Sequence, residues 1–145
     1  MPNPIPQGFH TVTPYLVVSD AAKLLDFLQR AFGATERFRM PGPDGSVAHA
    51  EMQVGDSIVM LGQPQGENRT MKSMLYLYVP DVDATFKKAV DAGAISVREP
   101  ADQFYGDRSG AVKDPGGNEW WIATHKEDVT PQEMERRMAG QRANA

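Results

Sequence analysis

The sequence predicts an α+β domain made of two copies of a βαβββ module, together forming an open, curled mixed sheet. Each copy is too short to bury a stable core by itself, so the two copies are expected to share one. A repeat at an offset of 60 or 61 residues is carried by three pairs of segments: 15–20 with 76–81, 32–34 with 92–94, and 56–60 with 117–121.

Each module is expected to begin with a strand and continue with a helix. Val, Leu and Tyr, which favour strands, fill residues 12–18 and 74–79. Ser19 or Asp20 in the first module and Asp81 in the second follow as N-cap residues, because a side-chain oxygen there can accept from a free backbone N–H of the first helical turn. Apolar residues then recur at helical spacing up to a Gly-Ala pair, where glycine can end the helix.

Three more strands complete each module, separated by turns rich in Gly, Pro and Asp. We expect a single domain over residues 1–145. Near its end we expect a short charged helix at about 130–138, with a narrow apolar stripe formed by Met134 and Met138. The strands are predicted at 35–40, 46–54 and 57–62, and then at about 95–98, 109–113 and 118–124. The divisions are module one at about 10–62, a polar linker at 63–72, and module two at about 73–125.

Composition excludes several classes of protein. The net charge is −4 with no Lys/Arg cluster, which argues against nucleic-acid partners and gives no attraction to anionic membranes. There are no cysteines, so disulfides, thiolate nucleophiles and Cys-based zinc sites are excluded. No apolar run is long enough to span a membrane, and the N-terminus lacks the features of a secretory signal. A cytoplasmic protein is expected.

Strand alternation places aromatic and Met side chains on one face of the sheet. Thr13 and Tyr15 share a face in the first module, and Met74 and Tyr76 share one in the second. The aliphatic face should meet the helices, which leaves the Tyr/Met face to line a cavity. These residues either bind a planar or apolar ligand or simply fill the interior of the barrel.

The polar candidates each have two interpretations. His49 and Glu51 face together, either as a proton-transfer pair or as part of a solvated strand. Arg108 either clamps a ligand carboxylate or phosphate or pairs locally with Asp107. His125 is expected at the surface or at the cavity mouth, and His10 at the surface.

Several strings, spread over residues 8–138, resemble one known family. They include Thr13–Leu16, His49–Glu51, Tyr78–Ala84 and Tyr105–Arg108. Together they resemble the vicinal oxygen chelate superfamily, which contains glyoxalase I and bleomycin-resistance proteins, and within it the PhnB-like branch. Gly116-Gly117-Asn118 departs from that branch, where an aromatic residue, Gly and His are expected.

The resemblance implies four metal-ligand positions, two in each module. Aligning the modules with the family places these positions at Thr13, Met60, Met74 and Trp121. None is a His, Glu or Gln, and thioethers and indoles are poor ligands for Zn²⁺, Fe²⁺ or Mn²⁺. We therefore expect no metal and no other cofactor, with Met60 and Trp121 joining the cavity wall.

Three functions remain open. The preferred one is metal-independent binding of a small aromatic or apolar molecule. The others are an enzyme of lyase, isomerase or dioxygenase type that uses His49 and Glu51 on a small oxygenated substrate, and a metal enzyme of glyoxalase or ring-cleaving dioxygenase type whose ligands lie elsewhere. A homodimer is expected, because the family usually dimerises and the barrel can close across chains. The candidate ligand-binding residues are Thr13, Tyr15, His49, Met60, Met74, Tyr76, Arg108 and Trp121.

Overall fold

The two halves of the chain form two four-stranded mixed sheets of the same topology. The computed structural model describes residues 2–64 and 69–144; residues 65–68 of the expected linker lie outside the described residues. The elements are β1 Tyr15–Val17, α1 Ala21–Phe32, β2 Thr35–Pro41, β3 Val47–Val54, β4 Ser57–Gly62, β5 Met74–Tyr78, α2 Val82–Asp91, β6 Ile95–Asp102, β7 Asp107–Lys113, β8 Glu119–His125 and α3 Pro131–Ala143.

The strand order is β1-β4-β3-β2 in the first sheet and β5-β8-β7-β6 in the second. In each sheet the first strand is parallel to the last strand of its module, and the other pairs are antiparallel. The register repeats as well, because Tyr15 lies opposite Met60 and Tyr76 lies opposite Trp121. The predicted α+β fold of two βαβββ modules is confirmed.

The predicted helix ends are also observed. The side chains of Asp20 and Asp81 accept from the backbone N–H of Lys23 and Ala84, each at 3.1 Å. Gly33 ends α1 in the left-handed region with φ of 66°, a conformation that only glycine adopts without strain.

Several predicted boundaries were wrong. β1 has only three residues instead of seven, and α3 extends to Ala143. β7 begins at Asp107, two residues before the predicted start at 109, because its backbone pairs with β8 from Asp107 and with β6 from Arg108. β6 continues to Asp102, and its Pro100 is accommodated because β6 is an outer strand with two register shifts. The outer strand of the first sheet, β2, has two register shifts of its own.

Both modules contribute to one hydrophobic core on the helix side of the sheets. Trp120 of β8 is almost fully buried there, with its ring centroid 4.9 Å from that of Phe32 in α1. The Trp120 indole N–H donates to Oδ2 of the buried Asp114 at 2.8 Å. The Oδ1 atom of Asp114 accepts from the backbone N–H groups of Gly116 and Asn118 at 2.8 and 3.0 Å. One carboxylate thus joins the β7–β8 turn to the core.

None of the helices within residues 2–64 and 69–144 is both long and apolar enough to cross a membrane.

Candidate functional site

The face of each sheet that points away from the helices carries most of the candidate residues, and we call it the open face of that module. Large apolar side chains that remain exposed are concentrated here. The open face of module one contains Tyr15, Phe38, Met40, His49, Glu51 and Met60. The open face of module two contains Met74, Tyr76, Tyr78, Arg98, Asp107, Ser109, Trp121 and His125.

A cleft of about 380 Å³ lies between the edges of β1 and β5. Tyr15 lines it from module one, and Met74 and Tyr76 line it from module two. The three side chains are 47%, 63% and 41% exposed, respectively. The structure therefore brings three of the sequence-predicted ligand-binding residues together around one opening.

His49 and Glu51 form a small polar network with Tyr15. The Tyr15 hydroxyl lies 3.0 Å from Nδ1 of His49, and Nε2 of His49 lies 3.6 Å from Oε2 of Glu51. Gly62 makes the first contact possible, because a Cβ at that position would lie 2.7 Å from the Tyr15 hydroxyl oxygen. The side chains of His49 and Glu51 are only 22% and 20% exposed. This pair is thus more enclosed than a solvated strand face.

Trp121 lies on the open face of module two, while its neighbour Trp120 is in the core. Trp121 sits next to Tyr76 in the parallel β5–β8 register, and the guanidinium carbon of Arg98 lies 5.9 Å from the centroid of the Trp121 ring. A cation at this distance from an indole face is attracted by its quadrupole. Trp121 and Arg98 therefore form a flat aromatic surface with a positive charge over the ring.

The most connected polar group on either open face is the carboxylate of Asp107, which is 4% exposed. Its Oδ2 accepts from the hydroxyls of Tyr76 and Tyr78, both at 2.9 Å, and its Oδ1 lies 2.8 Å from Nδ1 of His125. Nε2 of His125 lies 2.8 Å from Oδ1 of Asp128. Because each imidazole nitrogen faces a carboxylate, the contacts require a doubly protonated ring.

Proton affinities in this cluster follow from the contacts. Burial, with the neighbouring Tyr105 and Asp107 side chains, raises the pKa of Tyr76 well above the usual value of 10.0. Burial alone would raise the pKa of Asp107, but the hydrogen bonds from His125 and the two tyrosines outweigh it and lower that pKa. The contacts with Asp107 and then Asp128 raise the pKa of His125. The phenols stay protonated and the carboxylate stays charged.

The remaining candidates lie away from this cluster. Arg108 does not share the open face: its guanidinium donates to both carboxylate oxygens of Asp83 in α2 at 2.9 Å, and to Asp102 at 3.4 Å. The expected Asp107–Arg108 pair was therefore wrong, because adjacent strand residues point to opposite sides of the sheet. Thr13 precedes β1 and contacts the His10 carbonyl at 3.4 Å. His10 is exposed, as expected.

The four positions implied for a metal do not fit a divalent cation. Thr13, Met60, Met74 and Trp121 supply a hydroxyl, two thioethers and an indole, which are unsuited to Zn²⁺, Mn²⁺ or Fe²⁺. Over residues 2–64 and 69–144, no group of three or more His, Asp or Glu side chains is placed to hold a metal ion. The donor set thus disagrees with the family's metal chemistry.

Two βαβββ modules with repeated sheet topology and adjoining open faces define a two-module, cavity-forming class of α+β protein. The model of the Glyoxalase/Bleomycin resistance protein/Dioxygenase superfamily matches residues 8–122. The chain belongs to this superfamily.

Known relatives agree with that assignment. The chain is 40% identical over 141 residues to the uncharacterized protein Mb0911c of Mycobacterium bovis, covering 90% of this chain and 93% of the relative. The crystal structure of TioX from Micromonospora sp. ML1 is 27% identical, covers 80% of this chain and 98% of its own, and gives a TM-score of 0.69. A family enzyme from Burkholderia phytofirmans PsJN, at 20% identity, coverage of 78% and 96% and a TM-score of 0.66, shares the fold.

Proposed function

We propose that this protein binds a small planar aromatic or apolar molecule on its open faces, without a metal ion. The observation that carries the proposal is the cleft lined by Tyr15, Met74 and Tyr76, with Trp121 beside Tyr76. Aromatic and thioether side chains favour flat ligands by stacking and by burying apolar area. Arg98, whose guanidinium lies over the Trp121 ring, is placed to orient an acidic substituent.

Binding is tested with 8-anilinonaphthalene-1-sulfonate, whose fluorescence rises in an apolar site. Binding of this probe should quench Trp fluorescence. Trp121→Ala should weaken the binding tenfold or more, because stacking adds about 0.5–1.5 kcal/mol to the free energy gained by burying apolar area. The matched control is Phe9→Ala, which removes another ring beneath an arginine, Arg37, in the segment before β1. No binding to the folded protein, or equal binding by the Trp121→Ala variant, would contradict the proposal.

A second candidate, an enzyme that moves a proton on a small oxygenated substrate, is favoured by the Tyr15–His49–Glu51 network. His49 would take the proton, Glu51 would stabilise the resulting imidazolium, and Tyr15 would fix the ring. The test follows deuterium uptake from D₂O at the carbon beside the carbonyl of dihydroxyacetone by NMR. Uptake above the buffer rate that is lost in His49→Gln would support the enzyme, and uptake at the buffer rate would reject it for this substrate.

We also propose a homodimer and membership of the PhnB-like branch. The dimer is supported by exposed apolar residues on the open face of module one, such as Phe38 and Met40, which a second copy would cover. A single monomeric mass in sedimentation at micromolar concentration would rule it out. The strings named above support the branch. A cytoplasmic location and a lack of nucleic-acid and membrane partners stay predictions.

A further inference from the structure

Two tyrosines, Tyr76 and Tyr78, lie at one end of the open face of module two, next to the Trp121 surface. The ring centroids of Tyr76 and Tyr78 are 5.2 Å apart with the planes tilted by 52°. Both side chains are exposed, yet both hydroxyls converge on the buried carboxylate of Asp107. Two accessible aromatic rings therefore lie beside a negative charge that is held in place.

A buried polar atom without a partner lies on the same sheet, two strands from Tyr78. Tyr78, Ala123 and Ser109 are register neighbours across β5, β8 and β7. Asp107 lies two residues before Ser109 on β7, so the two side chains project from the same face of the sheet. Its Oγ is buried and has no hydrogen-bond partner among the described residues. Buried hydroxyls are nearly always hydrogen-bonded, so this one indicates that a polar partner is missing.

The local charge favours a positive group. The two carboxylates of Asp107 and Asp128 face one imidazolium, that of His125, so the three groups sum to −1. An adjacent depression is lined by Lys126 and by the carboxylates of Asp102 and Glu127, which pair with Arg108 and Arg137, so it leaves the balance of the cluster unchanged in sign. Arg108 is engaged by Asp83 and Asp102 on the other side of the sheet.

We propose that Tyr76, Tyr78 and Asp107 form a subsite for an organic ammonium group. The two ring faces would attract the cation, the phenol oxygens would accept its N–H groups, and the carboxylate would balance its charge. Since the Arg98 guanidinium already lies over the Trp121 ring, the ammonium end of a ligand is directed to the tyrosines. This inference rests on the proposed function, because it names the class of ligand as an arylalkyl amine, which is an ammonium ion at neutral pH.

The test compares 2-phenylethylamine, an ammonium at neutral pH, with the uncharged 2-phenylethanol, by NMR titration of amide and tyrosine ring signals. The wild-type protein should bind the amine about tenfold more tightly than the alcohol, the size of a partly desolvated cation–π contact. Asp107→Asn should bring the two affinities to within about twofold, and Tyr78→Phe, which keeps the ring, should reduce the preference by about threefold. Asp26→Asn removes the same charge from α1, where Asp26 pairs with Arg30, and should keep the preference.

Circular dichroism of each variant shows whether it is folded. If Asp107→Asn is not folded, the amine preference of Tyr78→Phe tests the proposal. Equal affinities in the wild-type protein, no binding of either compound, or a preference that survives in both folded variants would overturn the proposal. If the alcohol binds as well as the amine, the ammonium subsite fails while the proposed function stands. Failure of the anilinonaphthalene probe would instead reject the proposed function.

Discussion

Replacing Asp114 with alanine should cost about 3 kcal/mol of stability, the sum expected for losing one buried charged acceptor and part of a turn. A hydrogen bond to a charged group contributes about 1.5–3 kcal/mol, and a buried donor left unpaired costs about 1–3 kcal/mol. Water cannot reach the Trp120 indole N–H or the Asn118 backbone N–H, because both residues are buried. The backbone N–H of Gly116 lies in a partly buried turn, where water can replace some of the loss.

Urea unfolding followed by Trp fluorescence measures this change, with the slope against denaturant expected to stay constant. The thermal midpoint should fall by roughly 10 °C, at about 2–4 °C per kcal/mol for a chain of this length. Asp114→Asn should cost about half as much, since an amide keeps one acceptor oxygen. Glu119→Gln is the control, because Glu119 accepts from the part-exposed Trp121 at 3.3 Å. A cost below about 1 kcal/mol for the alanine variant, the typical effect of any substitution, would refute the reasoning.

Three further outcomes are expected. Gly106→Ala should destabilise the protein by about 2 kcal/mol or more, because φ is +100° and a Cβ would meet a backbone carbonyl after β8; Gly140→Ala in α3, with open space around it, should be neutral or stabilising in the same urea assay. Arg137→Ala should speed amide hydrogen exchange in α3, because its guanidinium bonds to both the loop before β7 and the segment after β8; unchanged exchange would contradict this. The stabilisation from His125 should be complete below its ordinary pKa of 6.5 and lost as the pH rises through its raised folded-state pKa. As the pH rises above 6.5, the thermal midpoint should therefore fall in the wild-type protein and in His10→Gln. It should change less with pH in His125→Gln.

Much of the fold was readable because local signals agreed with one another. The repeat, the N-cap aspartates and the predicted strand 57–62, which β4 matches, all rest on neighbouring residues and on alternation. The same alternation predicted that Tyr15 and Tyr76 share a type of surface, and the structure places both at one cleft.

The Asp107 cluster could not be read because its contacts join residues distant in sequence. Asp107 follows Tyr105-Gly106 and precedes two polar residues, a pattern typical of a loop, so the strand was predicted to begin at 109. Once β7 starts at Asp107, alternation assigns Asp107 to the open face and Arg108 to the helix side. A predicted strand that began at residue 107 would have placed Asp107 and Arg108 on opposite faces of the sheet.

The outer strands β2 and β6 bear on how the protein behaves when concentrated. A regular edge strand presents a row of unpaired N–H and C=O groups that can template the addition of another chain. β2 is exposed along its whole length, yet its ladder shifts between Glu36 and Phe38 and again before Pro41. β6 shifts twice around Arg98 in the corresponding strand of the second module. Bulges, charges and prolines in β2 and β6 therefore disfavour the edge-to-edge pairing of chains that leads to fibres.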